Sequence, residues 1–356
     1  MTGWRHGGNV WQTSADLRCS VEDIIDFSSN VNPLGPPHWV YTLIDSMKPS
    51  IKHYPDPFCV RLKNRVADLY DINPSEVLPS NGTSELVYLL PQAIRPARAV
   101  IPVPSYVDYE YGARAAEIPV LRVIMTSDDQ FRLPIEEIQS VLMPRDIVYL
   151  GRPNNPTGVV YDSEEIRSLA KKNRDVYFIV DQAFYDFVED ADPLVRNRPD
   201  NIGVMFSLTK ILAVPGIRVG WLVAEPGIIE RVAQVQPPWS VNVFAQAIGE
   251  KAVEHREVIE ETRRSVADAR AELAKQISEL GGFHVYPSKA NYLLVEVNRR
   301  EIDAIQLKER LLHNHKILIR TCDNFPSLDK RFFRICVRSS EDNGRLVRAL
   351  TQVVEG

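Results

Sequence analysis

Lys210 is the residue whose type and neighbours most suggest chemistry. It lies just beyond an apolar, strand-like run, with Ser207 three residues before it and Arg218 eight residues after it. This arrangement suits an amine that forms an imine beside a bound phosphate, because the hydroxyl and the guanidinium can hold the phosphate. An ordinary surface lysine near a strand-edge arginine is the alternative interpretation of the same pattern.

Asp181 could act together with this lysine, since it ends a second apolar run, residues 176–180. A carboxylate in that position can pair with a pyridine nitrogen and keep it protonated, so that the ring accepts electrons from a carbanion. An acid at the end of a strand could equally cap the helix that follows. Taken with Lys210, it predicts pyridoxal phosphate as the cofactor.

Two loops offer further polar groups. Residues 152–158, Arg-Pro-Asn-Asn-Pro-Thr-Gly, follow a strand-like run and contain Asn155, although turn-forming residues alone would explain a tight loop there. Residues 80–85, Ser-Asn-Gly-Thr-Ser-Glu, precede a helix-like stretch. Backbone N–H groups at such a helix start favour a phosphate, but serine and threonine are also ordinary caps.

These segments resemble the cofactor motifs of the fold-type I, aspartate-aminotransferase-like pyridoxal-phosphate enzymes. The resemblance implies that Lys210 forms the imine, that Asp181 pairs with the ring nitrogen and that Asn155 bonds the ring oxygen. It also implies that Tyr106, in Pro-Ser-Tyr-Val-Asp-Tyr, stacks on the ring. The remaining cofactor-binding residues that the motifs imply, mainly around the phosphate, are Gly82, Thr83, Ser84, Ser207, Thr209 and Arg218.

Tyr54, in His-Tyr-Pro-Asp, matches a tyrosine of this family that reaches the cofactor phosphate of the neighbouring subunit. The resemblance therefore implies a homodimer with shared active sites. Two positions depart from the family pattern: Ser80, where a glycine is common, and Gln182, where a glutamate is usual. Phe184 stands where many aminotransferases of this fold have a tyrosine that bonds the ring oxygen, and it favours decarboxylation over transamination.

The two ends of the chain resemble the L-threonine-O-3-phosphate decarboxylase family of cobalamin biosynthesis. The likeness begins with His-Gly-Gly-Asn at residues 6–9, continues through residues 26–36 and runs to about residue 349. It implies decarboxylation of L-threonine O-3-phosphate to (R)-1-amino-2-propanol O-2-phosphate for the cobamide nucleotide loop, with L-serine O-phosphate as a second substrate. The alternatives are a histidinol-phosphate-type aminotransferase and a catalytically silent binding protein on the same scaffold.

A small phosphorylated amino acid needs cationic ligands. A phosphate monoester with a charge of about −2 is best held by planar guanidinium groups. Arg320, Arg334 and Arg338 lie on or beside strand-like runs, and the spacing of four predicts that the last two share one strand face. Solvated surface arginines are the alternative. His6 could add a donor, and Asn32 completes the expected substrate-binding residues.

Composition permits such an enzyme and excludes other classes. The chain of 356 residues is 44% hydrophobic and 25% charged, enough for one large domain and an appended smaller one. Its net charge of −5 gives no electrostatic footprint for nucleic acid or an anionic membrane. Four widely separated cysteines indicate neither disulfides nor a zinc site, and no metal is expected. A polar N-terminus and the lack of an apolar run of about 18 residues predict a soluble cytoplasmic protein.

Strand-like runs alternate with amphipathic stretches over residues 41–240, which predicts a large α/β domain with a mostly parallel sheet. A helix is predicted at residues 163–172, capped by Asp162 or Ser163. A longer helical stretch, residues 244–280, should be bent or divided. Residues 241–356 predict a smaller α+β domain, which the N-terminal segment 1–40 joins. The strands predicted in the large domain are 99–103, 119–125, 147–150, 176–180, 204–206 and 219–223.

Overall fold

A computed structural model describes residues 6–189 and 192–355 of the chain. Its helices are α1 (Val10–Leu17), α2 (His38–Met47), α3 (Val60–Tyr70), α4 (Thr83–Ile94), α5 (Asp108–Ala115), α6 (Ile135–Val141), α7 (Ser163–Lys172), α8 (Leu208–Ile211), α9 (Pro226–Val235), α10 (Val243–Glu254), α11 (Arg256–Glu279), α12 (Ala304–His315) and α13 (Ser340–Glu355). Its strands are β1 (Ile25–Asp26), β2 (Val77–Ser80), β3 (Arg98–Val103), β4 (Val120–Ile124), β5 (Asp146–Gly151), β6 (Tyr177–Asp181), β7 (Ile202–Ser207), β8 (Gly220–Val223), β9 (Phe283–Val285), β10 (Tyr292–Val297), β11 (Ile317–Leu318), β12 (Arg320–Thr321) and β13 (Phe332–Cys336).

The larger sheet has the strand order β2-β8-β7-β6-β5-β3-β4. Strand β8 runs antiparallel to both of its neighbours, while the other adjacent strands are parallel. Parallel strands need long crossovers, which cover both faces of the sheet, so β5 and β7 are buried along their whole length. The predicted strands and the mostly parallel sheet are confirmed, with strand ends displaced by only one or two residues.

Each face of the larger sheet carries its own hydrophobic core. Val148 and Val180 point into one core, whereas the adjacent residues Tyr149 and Ile179 point into the other. This alternation follows from the two-residue period of a strand, which sends successive side chains to opposite faces. The sheet is therefore held rigidly between two layers, and these strands with their helices form what we call the large lobe.

The smaller sheet is antiparallel, with the strand order β12-β13-β10-β9. Its register places Arg320 opposite Arg334. A separate parallel ladder pairs Ile25 of β1 with Ile317 of β11, so the N-terminal segment packs beside this sheet. We call the smaller sheet, helices α11 to α13 and the N-terminal segment the small lobe. Helix α10 packs on α2 and α3 of the large lobe, and the domain boundaries at residues 40 and 240 remain predictions.

Two helix predictions are confirmed. Helix α7 has the predicted bounds, and the Asp162 carboxylate accepts hydrogen bonds from the backbone N–H groups of Glu164 and Glu165 at 2.8 and 2.9 Å. The stretch 244–280 is divided at His255, whose non-helical backbone separates α10 from α11. Within residues 6–189 and 192–355, none of the helices is long and apolar enough to cross a membrane.

Candidate active site

A cleft between the two lobes collects most of the predicted site residues. Strands β5, β6 and β7 are parallel, so their carboxyl ends meet at one edge of the larger sheet, where Asp181 and Ser207 terminate two of them. Ligands of such sheets bind beyond this edge. The small lobe covers it with Arg320 and Arg334, and the N-terminal segment contributes His6. Over the described parts of the chain, no cluster of three or more potential metal ligands occurs.

Lys210 lies in α8, the short helix that follows β7, and its side chain lines the cleft. Burial and, to a smaller extent, the positive charges of Arg218 and Arg334 together lower the pKa of Lys210 from 10.5 to about 8, although the negative charge of Asp181 opposes this shift. A lysine must lose its proton before it can attack a carbonyl. The site therefore holds an amine that is partly unprotonated near neutral pH.

Asp181 is 8% exposed at the floor of the cleft. Its Oδ1 accepts a hydrogen bond from the backbone N–H of Ala183, and its Oδ2 accepts one from the hydroxyl of Tyr109, both at 2.9 Å. Burial raises the pKa of Asp181, against the opposing effects of these two donors and of Lys210. Such a carboxylate is fixed in direction and stabilised by any cationic partner that enters the cleft.

A cradle for a phosphate lies at the start of α4. The backbone of Gly82 has φ of +73°, and a Cβ atom there would lie 2.4 Å from Nη2 of Arg218, so only glycine allows this close approach. Thr83 and Ser84 open the helix and line the cleft, together with Arg218. Free N–H groups, hydroxyls and a guanidinium converge as an anion site requires.

Ser207 and Thr209 also line the cleft, and their hydroxyl oxygens lie 2.7 Å apart.

Arg334 links three segments that border the cleft. It is 6% exposed, donates from Nη2 to the carbonyl of Ser28 at 2.9 Å and donates from Nη1 to Oδ1 of Asn155. Its guanidinium lies 5.4 Å from the ring centre of Tyr292. Arg320, its neighbour in the sheet register, also lines the cleft. The cleft thus presents two adjacent arginines, as the sequence predicted, beside the loop that carries Asn155.

Two predicted substrate ligands lie elsewhere. Strand β13 ends at Cys336, so Arg338 does not continue the face of Arg334; its Nε lies 2.9 Å from Oδ2 of Asp342, at the start of α13. Asn32 is buried away from the cleft lining, and its Nδ2 donates to the carbonyl of Ile211 at 2.8 Å. Neither Arg338 nor Asn32 lines the cleft.

Asn30 is the asparagine of the Asn-Val-Asn run that lines the cleft. It is 4% exposed, and neither its side-chain oxygen nor its nitrogen has a hydrogen-bond partner within the described residues. A buried amide without partners is costly unless a ligand or water satisfies it. The sequence motif predicted Asn32 of this segment as the substrate ligand, whereas the structure places Asn30 in the lining of the cleft.

Tyr106 and His6 line the cleft. Tyr54, which was predicted to reach the cofactor of the neighbouring subunit, does not line the cleft of its own subunit. The ring centres of Tyr106 and His6 lie 6.1 Å apart. Tyr54 is 80% exposed on the outer surface, where its ring lies 4.8 Å from that of Trp239. Gln182, one of the departures noted above, is buried beside Arg152.

Sequence reasoning missed two tyrosines that organise the site. Tyr109 is 2% exposed and holds Asp181, and its position three residues after Tyr106 in one aromatic run was the available signal. Tyr292 is fully buried; its hydroxyl donates to the carbonyl of Asn154 at 2.9 Å, and its ring packs edge-on against Phe184 at 5.0 Å. Both residues connect elements that are distant in sequence, which no local pattern reveals.

Comparison with known proteins agrees with this geometry. The family model described as aminotransferase class I and II matches residues 22–350. The chain belongs to the class I and II aminotransferase family. A member from Salmonella typhimurium, a threonine-phosphate decarboxylase, is 33% identical over 99% of this chain and 97% of its own length. The adenosylcobalamin biosynthesis bifunctional protein CobDQ of Leptospira interrogans is also 33% identical over 99% of this chain, which spans only 41% of that protein.

Solved structures of family members have the same fold. The L-threonine-O-3-phosphate decarboxylase from Porphyromonas gingivalis superposes with a TM-score of 0.83 at 26% identity, covering 93% of this chain and 99% of the other. The histidinol-phosphate aminotransferase from Clostridium acetobutylicum gives a TM-score of 0.84 at 28% identity, covering 92% of this chain and 98% of the other. Fold similarity alone therefore does not separate the two activities, and the cleft must be considered residue by residue.

Proposed function

We propose that this chain is a pyridoxal-phosphate-dependent decarboxylase that converts L-threonine O-3-phosphate to (R)-1-amino-2-propanol O-2-phosphate, with L-serine O-phosphate as a second substrate. The main support for the proposal is that residues suited to the cofactor and residues suited to the substrate line the same cleft. Lys210 and Asp181 supply the covalent and electrostatic partners of the cofactor. Arg320 and Arg334 supply cations for an amino acid that carries both a carboxylate and a phosphate.

The residues present fit pyridoxal phosphate. The backbone at Gly82, where a Cβ would collide with Arg218, leaves space for a phosphate at the start of α4. The carboxylate of the buried Asp181 can pair with a protonated ring nitrogen. When bound, the cofactor supplies an electron-accepting ring for the carbon that loses its substituent. Tyr106 lines the cleft where a ring could stack on it, and Asn155 can donate to a ring oxygen because Arg334 occupies its side-chain oxygen.

The arginines orient the substrate, and its orientation decides the reaction. With pyridoxal phosphate bound, carbon dioxide would leave only if the arginines held the substrate carboxylate where its bond to Cα can release electrons to the cofactor. Arg334 has an Nε without a hydrogen-bond partner within the described residues. Burial lowers the pKa of Arg334, so a bound anion relieves an unfavourable buried charge. Arg320, Asn30 and His6 complete a polar wall around this position.

Lys210 has a second task once the substrate amine has replaced it. Its lowered pKa, about 8, makes its Nζ able to hold and release a proton near neutral pH. Its side chain lines the cleft in which the substrate would bind. We assign it the protonation of Cα after carbon dioxide has left, which completes the conversion to the amine.

Phe184 supports decarboxylation over transamination. It lines the cleft and packs edge-on against Tyr292, so its position offers the cofactor a hydrocarbon ring without a hydroxyl donor. Asn155 can still donate a hydrogen bond to the ring oxygen from its side-chain amide. The lack of a hydroxyl donor at the position of Phe184 would alter the electronics of a bound cofactor.

We also propose a homodimer in which each site is completed by the other subunit. Tyr54 is 80% exposed and cannot reach the cleft of its own subunit from the surface that it shares with Trp239. The neighbouring part of the chain, residues 34–60, carries other exposed apolar side chains, which a second copy would cover. These side chains are Leu34, Tyr41, Ile51, Phe58 and Val60.

A product assay tests the proposed activity. The purified protein, loaded with pyridoxal phosphate, is incubated with threonine phosphate, serine phosphate or histidinol phosphate, with and without 2-oxoglutarate. Release of carbon dioxide without the oxoacid is the expected result, and the Lys210→Ala variant should show none while the exposed-lysine control Lys171→Ala behaves as the parent protein. Turnover that depends strictly on the oxoacid would instead establish the aminotransferase alternative. We consider this alternative because a histidinol-phosphate aminotransferase has a similar fold.

A further inference from the structure

An acidic side chain outside the expected set of site residues connects the two lobes at the mouth of the cleft. Asp108 is the first residue of α5 in the large lobe and is 4% exposed. The hydroxyl of Tyr106 donates to its Oδ2 at 2.5 Å, which fixes the carboxylate in one direction. Its other oxygen, Oδ1, lies 3.1 Å from Nε2 of His6. One carboxylate thus contacts two residues that line the cleft.

His6 belongs to a segment that is anchored on the opposite lobe. The backbone N–H of Gly8 donates to Oγ of Ser28 at 2.8 Å, and a Cβ atom on Gly7 would lie 2.0 Å from the carbonyl oxygen of Ser28. Val10 and Leu17 of α1 pack on a small apolar cluster with Leu318 of the small lobe. The contact between His6 and Asp108 therefore spans the cleft from one lobe to the other.

We propose that Asp108 is a positioning residue that holds the imidazole of His6 over the cleft, so that the N-terminal segment closes on the phosphorylated end of the substrate. This inference rests on the proposed substrate class. A side chain that is 34% exposed, as His6 is, loses conformational freedom when it is held in place. A fixed carboxylate removes that cost before the substrate arrives, which is the effect of preorganisation on binding.

The helix that carries Asp108 offers a matched control. Glu110, two residues later in the same first turn, is also buried, but within residues 6–189 and 192–355 its ion pairs are with Arg114 and Arg122 of the large lobe. The variants Asp108→Ala and Glu110→Ala remove comparable buried carboxylates from one helix. A general loss of stability would affect both, whereas a loss of positioning affects the first alone.

Hydrogen exchange of residues 7–17 in the cofactor-loaded protein tests the contact itself. Faster exchange is expected in Asp108→Ala and in His6→Ala, with no further increase in the double variant and no change in Glu110→Ala. Unchanged exchange in Asp108→Ala would overturn the inference, as would an equal effect of Glu110→Ala. This measurement does not depend on turnover, so it decides the inference even if the proposed decarboxylation is absent.

Steady-state kinetics then tests the link to the substrate. For threonine phosphate, Asp108→Ala should raise KM by about fivefold while kcat changes by less than about twofold, because the residue acts on binding through His6. The double variant with His6→Ala should match the single His6→Ala variant. An Asp108→Ala effect that persists in full after His6 has been removed would show that Asp108 acts by another route and would reject the positioning role.

Discussion

Replacement of Lys210 by methionine should stabilise the protein when no cofactor is bound. Methionine keeps the length of the side chain but carries no charge, so it removes a buried ammonium that lies near Arg218 and Arg334. A pKa lowered from 10.5 to about 8 corresponds to a cost of about 3 kcal/mol for the folded state at pH 7. Because the side chain borders the open cleft, water screens part of this charge, and we expect a gain of about 1–3 kcal/mol.

The pH dependence gives the sharper form of this prediction. The folded pKa of Lys210 lies below its unfolded value, so between pH 8 and 10.5 the unfolded state binds more protons and stability rises with pH. Below pH 8 both states are protonated, and the cost is fully present. The stability difference between the Lys210→Met variant and the parent protein should therefore shrink by up to about 2 kcal/mol from pH 7 to pH 9.5.

Urea denaturation of the cofactor-free proteins at a series of pH values measures this difference. The Lys171→Met variant, altered at an exposed lysine of α7, serves as the control and should track the parent protein at every pH. A constant difference between Lys210→Met and the parent across the whole range would refute the reasoning. It would mean that the lysine keeps an ordinary pKa and that the cleft does not prepare it for attack on the cofactor.

The remaining predictions concern residues around the cofactor and the substrate. Asp181→Asn should still bind pyridoxal phosphate, measured by visible absorption, but should lose turnover by about a hundredfold or more; near-normal rates would place the electron sink elsewhere. Arg334→Ala should raise KM for threonine phosphate by at least about tenfold, whereas Arg338→Ala, which leaves the cleft unchanged, should have little effect. Mixing inactive Tyr54→Ala and Lys210→Ala proteins should restore part of the activity if sites are shared; no recovery after subunit exchange has been verified would contradict a shared site.

Much of the fold was accessible to sequence reasoning because the local signals were strong. Runs of apolar β-branched residues predicted the strands of the larger sheet, and Asp162 marked the start of α7. Lys210, Asp181 and Asn155 were predicted because each follows a strand-like run and stands in a segment that resembles the family's cofactor motifs. The parallel order of these strands then brings their carboxyl ends to one edge of the sheet. The division at His255 also followed from the length of the helical stretch.

Contacts between distant segments were less accessible. The spacing of Arg334 and Arg338 predicted that both lie on one strand face, which requires the strand to continue to Arg338. Strand β13 instead ends at Cys336, and Arg338 forms an ion pair with Asp342. In the irregular Asn-Val-Asn run, a periodic pattern could not distinguish Asn30 from its neighbour two residues later. The roles of Asp108 and Tyr109 likewise depend on which loops and lobes approach them, which the linear pattern does not record.

Arg334 makes the two lobes dependent on each other. One guanidinium joins a strand of the small lobe to the loop of Asn155 in the large lobe and to the backbone of Ser28. A substrate anion that accepts a hydrogen bond from the Nε–H of Arg334 would stabilise this connection between the lobes by its free energy of binding. We therefore expect bound substrate to increase the cooperativity of unfolding, so that the two lobes unfold together in one transition.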